Sequence, residues 1–401
     1  MRSHSLIIRV LGLGLVLALA AAGCASEPRS TTTPSVGTSG GSSDTSLATT
    51  TTSATTTSSS TTTTTLSSAE RLLAEMSTRQ KAAQVLLLGF AGTTVSAELA
   101  GFLQESPPGG LLLLGTNITG QEQLRSLTSA LQETAEAAGP GLFMAVDQEG
   151  GTVQRVRDGV PRVPSARTLG EAHTPGDAAK LARDTATGLL ALGVNMNLAP
   201  VADVVADTGS FLYRRSYGDD PDHVGSFVAA VTAAYSEAGL VAVAKHFPGH
   251  GSAPGDTHGG LVISAADQVE FQTMHLPPFA AAIAAGAEAV MMGHIVAQTL
   301  DGTRPASLSP AVVGVLREEM GFSGLVIADD LRMAGAALPP QAGVTPSAGV
   351  EDAQHTAVLA LEAGCDLLIS TAPLQQHRAM LDAIVEAVDT GRLPESRLDE
   401  T

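Results

Sequence analysis

The sequence predicts an α/β fold, a closed (β/α)8 TIM barrel forming a single catalytic domain, on three observations. Eight short apolar runs recur at fairly regular intervals after residue 66. Ala-rich helical stretches separate most of them. Polar and titratable residues gather at the C-terminal ends of the runs. A run that is apolar throughout is buried on both faces, the pattern of a parallel strand covered by helices. Eight strand–helix units close into a barrel.

In order, the runs are Gln84 to Phe90, Gly110 to Leu114, Leu142 to Val146, Val194 to Leu198, Val241 to Ala244, Ala289 to Met292, Leu325 to Ala328 and Asp366 to Ile369. The helical stretches include Ala178 to Ala191, Val224 to Ala238 and His355 to Ala363. Asn117, Asp147-Gln148-Glu149, Asp203, Lys245-His246, His294 and Asp329-Asp330 lie at or just past the ends of runs, the face on which a barrel builds its site. A doubly wound sheet would also bind ligands at strand ends. The sequence has no Gly-rich fingerprint with a downstream acidic residue, which argues against a dinucleotide fold.

Ahead of the barrel, Arg2 and Arg9 give a basic start, Leu6 to Ala20 is mostly apolar, and Ala21-Ala22-Gly23 precede Cys24. This is a signal peptide over residues 1–23 rather than a spanning helix. The small residues before Cys24 resemble a bacterial lipobox, with alanine in place of the usual leucine three positions before the cysteine. Cys24 is then the lipidated first residue of the mature chain. Residues 24–66 are almost wholly Ser, Thr, Gly and Pro after the cysteine, a tether with too little apolar surface to fold. The expected location is extracytoplasmic, anchored by lipid to the outer face of the cell membrane, with residues 67–401 as the folded domain.

The formal charge is −18, and removing the two arginines of the signal region lowers it to −20. So acidic a chain argues against a nucleic-acid partner and against electrostatic binding to anionic lipid. There is no Trp, so a compact pocket built on hydrogen bonds is expected rather than a broad aromatic platform. Cys24 and Cys365 are the two cysteines, and with Cys24 lipidated no disulfide framework is available. Cys365 reads as a small core residue. A monomer is expected.

The run Lys245-His246-Phe247-Pro248-Gly249-His250-Gly251, followed by Asp256-Thr257-His258, is a Gly/Pro-rich loop dense in titratable groups directly after a buried run. Asp256 and His258 are spaced so that a carboxylate can hold an imidazole, giving a general acid/base near neutral pH. Asp329 ends its run where a carboxylate can attack an anomeric carbon or stabilise charge on it. The alternative is that Asp329 or Asp330 caps the next helix. His246, His250, Asp256 and His258 are possible zinc ligands, but their spacing fits no helical motif and Lys245 adds a positive charge, so no metal and no cofactor are expected.

The run KHFPGHG with its D-x-H resembles the signature of family 3 glycoside hydrolases, in the β-N-acetylglucosaminidase branch. Val146 to Gly151, Asn195 to Val204, Arg215 to Gly218 and Ile327 to Met333 resemble the same family in order. The resemblance implies a retaining exo-β-N-acetylglucosaminidase acting on GlcNAc-containing glycans such as the GlcNAc-MurNAc fragments of peptidoglycan. It implies that Asp329 is the nucleophile, His258 the acid/base oriented by Asp256, and Asp147, Arg155, Arg215, Lys245 and His246 the residues that bind the terminal sugar. His250 would be structural. Ser252-Ala253, Val262 and Thr152 depart from the usual residues of the family. Rival readings are a β-glucosidase or broad exo-glycosidase, a phosphorylase using phosphate as acceptor, and a sugar-binding lipoprotein without turnover.

Overall fold

The computed structural model describes residues 68–338 and 350–401. The signal peptide, Cys24 and the tether up to residue 66 lie outside the described residues.

Eight parallel strands close into a barrel: β1 (Leu86–Gly89), β2 (Gly110–Leu113), β3 (Phe143–Val146), β4 (Met196–Asn197), β5 (Val241–Phe247), β6 (Ala289–Met292), β7 (Leu325–Ala328) and β8 (Leu367–Ser370). They follow one another around the barrel in chain order, and β8 pairs with β1 through Leu86↔Leu368 and Leu87↔Ile369. The expected barrel is therefore observed. The helices that follow the strands are α1 (Ala97–Glu105), α2 (Gln121–Glu136), α3 (Pro175–Ala191), α4 (Pro221–Ala238), α5 (Pro277–Ala284), α6 (Pro310–Gly314), α7 (Val350–Ala363) and α8 (Leu374–Asp389). Among the described residues no helix is long and apolar enough to cross a membrane.

Side-chain alternation explains why the strands read as continuous apolar runs. Leu87, Leu112, Ala145, Met196, Val243, Met291, Ile327 and Leu367 point inward and fill the barrel. Leu86, Leu88, Leu111, Leu113, Val326 and Ala328 point outward and pack under the helices. Truncating one of the buried leucines, such as Leu87→Ala, would cost about 2–5 kcal/mol.

Several boundaries differ from the sequence expectation. Gln84 ends a preceding helix, Thr78–Gln84, rather than opening β1. β4 shrinks to two residues, because Leu198 to Val201 continue as irregular chain that bonds to β5: the Val243 amide donates to Ala199 O, and the Lys245 amide to Pro200 O. β5 runs on to Phe247, three residues past the apolar run, and so carries Lys245 and His246 within the strand. Asp330 caps no helix. Its carboxylate accepts from the Arg332 amide at 3.1 Å, the Thr371 amide at 3.1 Å and the Thr371 hydroxyl, tying the end of β7 to the end of β8. Cys365 is buried just before β8, with its thiol donating to Ser307 O at 3.3 Å and its pKa pushed by burial up to about 12.

Candidate active site

The inward register of the strands delivers the charged groups to the barrel mouth. Asp147 lies two residues past inward-facing Ala145, Lys245 two past Val243, and Asp329 two past Ile327. With a period of two, each continues the inward face at the C-terminal end of its strand. β3 and β7 are four strands apart in the eight-stranded ring, so Asp147 and Asp329 stand on opposite sides of the mouth, with Lys245 on β5 between them.

One side of the mouth is a buried ionic cluster. Lys245 Nζ donates to Asp147 Oδ1 at 2.7 Å and lies 2.8 Å from Glu149 Oε1. Arg215 grips Glu149 with two bonds of 2.8 Å, from Nε and Nη2. Burial disfavours the Glu149 carboxylate, but Lys245 and Arg215 outweigh it and hold the group well below the usual carboxylate range. Burial likewise works against the Lys245 ammonium, and Asp147 and Glu149 raise its pKa above the ordinary value. Both cations therefore stay charged and fixed in direction, with donors available to sugar hydroxyls.

His246 is held from behind by Asp203, which is fully buried. Asp203 Oδ2 accepts from His246 Nδ1 at 2.7 Å and from the His246 amide at 3.2 Å, while Oδ1 accepts from the His250 amide at 2.6 Å. Arg215 Nη2 lies 3.5 Å from His246 Nε2 and can only donate, so Nε2 accepts and the proton sits on Nδ1. Burial raises the Asp203 carboxyl, but the neighbouring His246 and His250 outweigh it and keep it ionised.

Asp329, half-buried, accepts from the Asp330 amide at 2.8 Å. Burial raises its pKa, and the imidazoles of His294 and His246, the Asp330 amide and Lys245 together bring it below the ordinary value. It is thus an anion with a free face. His294 is itself driven toward the neutral form by burial, and its Nε2 donates to Asp330 O at 3.1 Å.

The loop after β5 carries the third element. It bends tightly: Gly249 has φ +114°, and a Cβ on Gly251 would lie 1.8 Å from Val204 O, so only glycine lets the loop lie on that backbone. Beyond it Asp256 and His258 are exposed and joined, Oδ1 to Nδ1, at 2.6 Å. Thr257, between them, accepts at its carbonyl from the Gly335 amide at 2.9 Å, which links this loop to the segment following Asp329. Phe211 sits edge-on to the His258 ring, with centroids 6.3 Å apart, and its own ring lies 5.8 Å from the Arg215 guanidinium carbon. His250 is buried beneath the loop, with its ring packed 5.2 Å from Phe211.

Residues 77–401 match the glycosyl hydrolase family 3 N terminal domain. The chain belongs to glycosyl hydrolase family 3. A relative, the beta-hexosaminidase of Xylella fastidiosa (strain M23), is 37% identical over 296 residues, covering 72% of this chain and 84% of the relative. A solved family 3 beta-N-acetylglucosaminidase from Paenibacillus sp. str. FPU-7 superposes with a TM-score of 0.75 at 33% identity, over 81% of this chain. The match spans 60% of that Paenibacillus chain, so the relative is the longer protein. The beta-N-acetylhexosaminidase of Beutenbergia cavernae superposes with a TM-score of 0.71 at 29% identity, covering 82% of this chain and 96% of the other.

The structure brings Asp147, Arg215, Lys245 and His246 into one network and joins Asp256 to His258 on the neighbouring loop. Arg155 makes no ion pair among the described residues and lines a cavity between the ends of β2 and β3. Two members of the network were no named site residues in the sequence reading: Glu149, which neutralises both cations, and Asp203, which orients His246. Both sit at strand ends in motifs with family likeness, and that position was the available signal. Among the described residues no group of three or more His, Cys, Asp or Glu side chains is arranged to hold a metal ion.

Proposed function

We propose that the protein is a retaining exo-β-N-acetylglucosaminidase, removing terminal non-reducing β-linked N-acetylglucosamine from GlcNAc-MurNAc fragments of peptidoglycan. The observation that carries the reading is the division of the mouth into three parts. A buried cluster in which Lys245 and Arg215 donate and His246 Nε2 accepts can hold one sugar; the ionised carboxylate of Asp329 enters from β7; and the exposed Asp256–His258 pair stands on a loop tied to the segment after Asp329. Because Lys245, Glu149 and Asp203 are buried, the sugar-binding end is closed, which suits a chain terminus rather than the middle of a glycan.

In this mechanism an Asp329 oxygen attacks the anomeric carbon as the glycosidic C–O bond breaks, and His258 gives its Nε2 proton to the departing oxygen. The covalent glycosyl-enzyme is then cleaved by water, whose proton returns to His258. Asp256 holds Nδ1–H throughout, so that Nε2 is the exchanging atom. The substrate assignment is supported by the names of the family 3 relatives. The wall assignment and the lipid-anchored, extracytoplasmic location are supported by the signal-like residues 1–23, Cys24 and the Ser/Thr-rich tether.

The test is release of 4-nitrophenol from its β-N-acetylglucosaminide and its β-glucoside by the wild type and by Asp329→Ala, with and without phosphate. Turnover of the acetamido substrate that is lost in Asp329→Ala is expected. Faster turnover of the glucoside would replace the reading with a glucosidase, and no turnover of either would replace it with a binding protein.

A further inference from the structure

Phe102, Phe227, Phe247, Phe271 and Phe279 are each at most 1% exposed and fill the core. Phe211 departs from that use. It lies half-buried at the mouth, and its ring neighbours are polar groups of the site. The His258 ring meets it edge-on at 6.3 Å with planes 84° apart, and the His250 ring at 5.2 Å with planes 82° apart. The Arg215 guanidinium carbon lies 5.8 Å from the Phe211 centroid. Both ring distances fall in the range of about 4.5–7 Å in which edge-to-face aromatic pairs attract. One side chain therefore borders the acid/base and a cation of the sugar cluster at once.

The segment that carries Phe211 is fixed to the barrel. Arg167, buried on the helix Ala166–Ala172, donates from Nε to Tyr213 O at 3.2 Å and from Nη2 to Val205 O at 2.5 Å. Leu212 is fully buried, and its carbonyl accepts from the Arg215 and Ser216 amides at 2.8 and 2.9 Å. Arg215 is itself gripped by Glu149. The His250 ring against Phe211 is buried, and the His250 amide is held by Asp203.

His258 needs such an anchor. Its side chain is 63% exposed, and its partner Asp256 is 45% exposed and belongs to the same loop. A bond within the loop fixes the tautomer, but it travels with the loop and cannot set where the imidazole stands relative to the sugar. The Gly335 amide on Thr257 O fixes the backbone between the two residues, and Phe211 meets the ring from outside the loop. Placement matters, because an error of about 1 Å at a reacting group can cost about 10²-fold in rate.

We propose that Phe211 is a positioning residue for proton transfer: its ring seats the His258 imidazole beside the sugar held by Arg215, so that Nε2 reaches the departing glycosidic oxygen. The inference rests on the glycosidase reading and deepens it. Phe211 carries no proton and acts through His258. Its removal is therefore felt where the leaving oxygen must be protonated, and not where the leaving group departs unaided.

The experiment measures kcat and KM on N,N′-diacetylchitobiose and on the 4-nitrophenyl N-acetylglucosaminide for wild type, Phe211→Leu, Phe211→Tyr, His258→Ala and the Phe211→Leu/His258→Ala double variant. Phe211→Leu keeps an apolar side chain but no ring. It is expected to lose roughly two- to tenfold in kcat on the disaccharide, the fold-change that the usual worth of an aromatic pair supplies, with KM and the aryl substrate unchanged. Phe211→Tyr keeps the ring and should restore the disaccharide rate. In the His258→Ala background Phe211→Leu should cost nothing further, the non-additivity of two residues that act as one unit. Equal losses on both substrates, or a raised KM at unchanged kcat, would make Phe211 a wall of the sugar site and overturn the proposal. So would a full additional loss in the double variant. Absence of wild-type turnover on the aryl substrate is a separate result: it removes the glycosidase reading, and the inference falls with it.

Discussion

Asp256 Oδ1 accepts from His258 twice, from ring Nδ1 at 2.6 Å and from the backbone amide at 3.0 Å. One oxygen thus fixes both the tautomer of the ring and the bend of the loop that presents it. Burial slightly disfavours the Asp256 carboxylate, but the two bonds from His258 outweigh it and keep its pKa below the usual value. The pair is therefore built to leave Nε2 as the atom that gives and takes the proton. His258→Ala should reduce kcat on a disaccharide, whose leaving oxygen needs protonation, by roughly 10²–10⁴-fold, and on the nitrophenyl substrate far less. Equal losses on both would remove His258 from the acid role. Asp256→Asn should fall between wild type and His258→Ala with the same leaving-group trend.

Asp329 should behave differently. Its attack is needed whatever the leaving group, so Asp329→Ala is expected to lose at least about 10³-fold on both substrates, roughly 4 kcal/mol of barrier. The imidazoles and Lys245 that lower its pKa also set the acid limb of the rate profile. The group is active as the anion, so activity persists above its folded pKa and falls as pH drops through it, below the ordinary carboxylate value of about 3.9. A limb assigned to Asp329 near pH 6 would contradict this electrostatic arrangement.

The positions of Asp147, Lys245 and Asp329 were legible because they depend on a local rule: the first polar residue on the inward face of an apolar strand lands at the mouth. The barrel was legible for the same reason. What the local rule could not give are contacts between distant residues. Glu149 meets Arg215 across 66 positions, and His246 meets Asp203 across 43, so their pairing is set by closure of the barrel rather than by neighbours in sequence. Arg155, which its motif position puts among the sugar ligands, follows the same strand end and lines the cavity between the ends of β2 and β3, beside the clamp of Gln148 on Val156.

Glu149 supports the site by stability rather than chemistry. Its side chain is 5% exposed and balances Lys245 and Arg215, which are 3% and 16% exposed. Glu149→Gln keeps the shape and removes the charge, leaving Arg215 with no direct ion-pair partner and Lys245 with Asp147 alone. Breaking such a pair costs about 3–5 kcal/mol. Urea unfolding of Glu149→Gln should show an unchanged m-value and a midpoint lowered by that energy divided by m. A shift within about 0.5 kcal/mol, the range of ordinary surface changes, would mean that the cluster is screened by solvent and does not hold the mouth together.

His377 gives a pH dependence that is independent of catalysis. It lies on α8, is buried, and donates from Nε2 to Ser370 O at 3.1 Å at the end of β8, a bond the neutral ring makes. Burial is the main cause that lowers its pKa, the bond to Ser370 opposes it, Arg332 adds to it, and the result is a fall from 6.5 to about 4. Between those values the unfolded chain binds a proton that the native protein does not. Stability is therefore full above pH 6.5 and declines as pH falls toward 4, by roughly 3 kcal/mol from this residue. His250, His275 and His294, whose pKa values are also lowered by burial, act with the same sign. His377→Gln retains a donor for Ser370 but cannot titrate, so the plot of unfolding free energy against pH should lose up to about 1.4 kcal/mol of slope per pH unit in that window. An unchanged slope would show that His377 is protonated in the native state and that its bond to Ser370 is made by the charged ring.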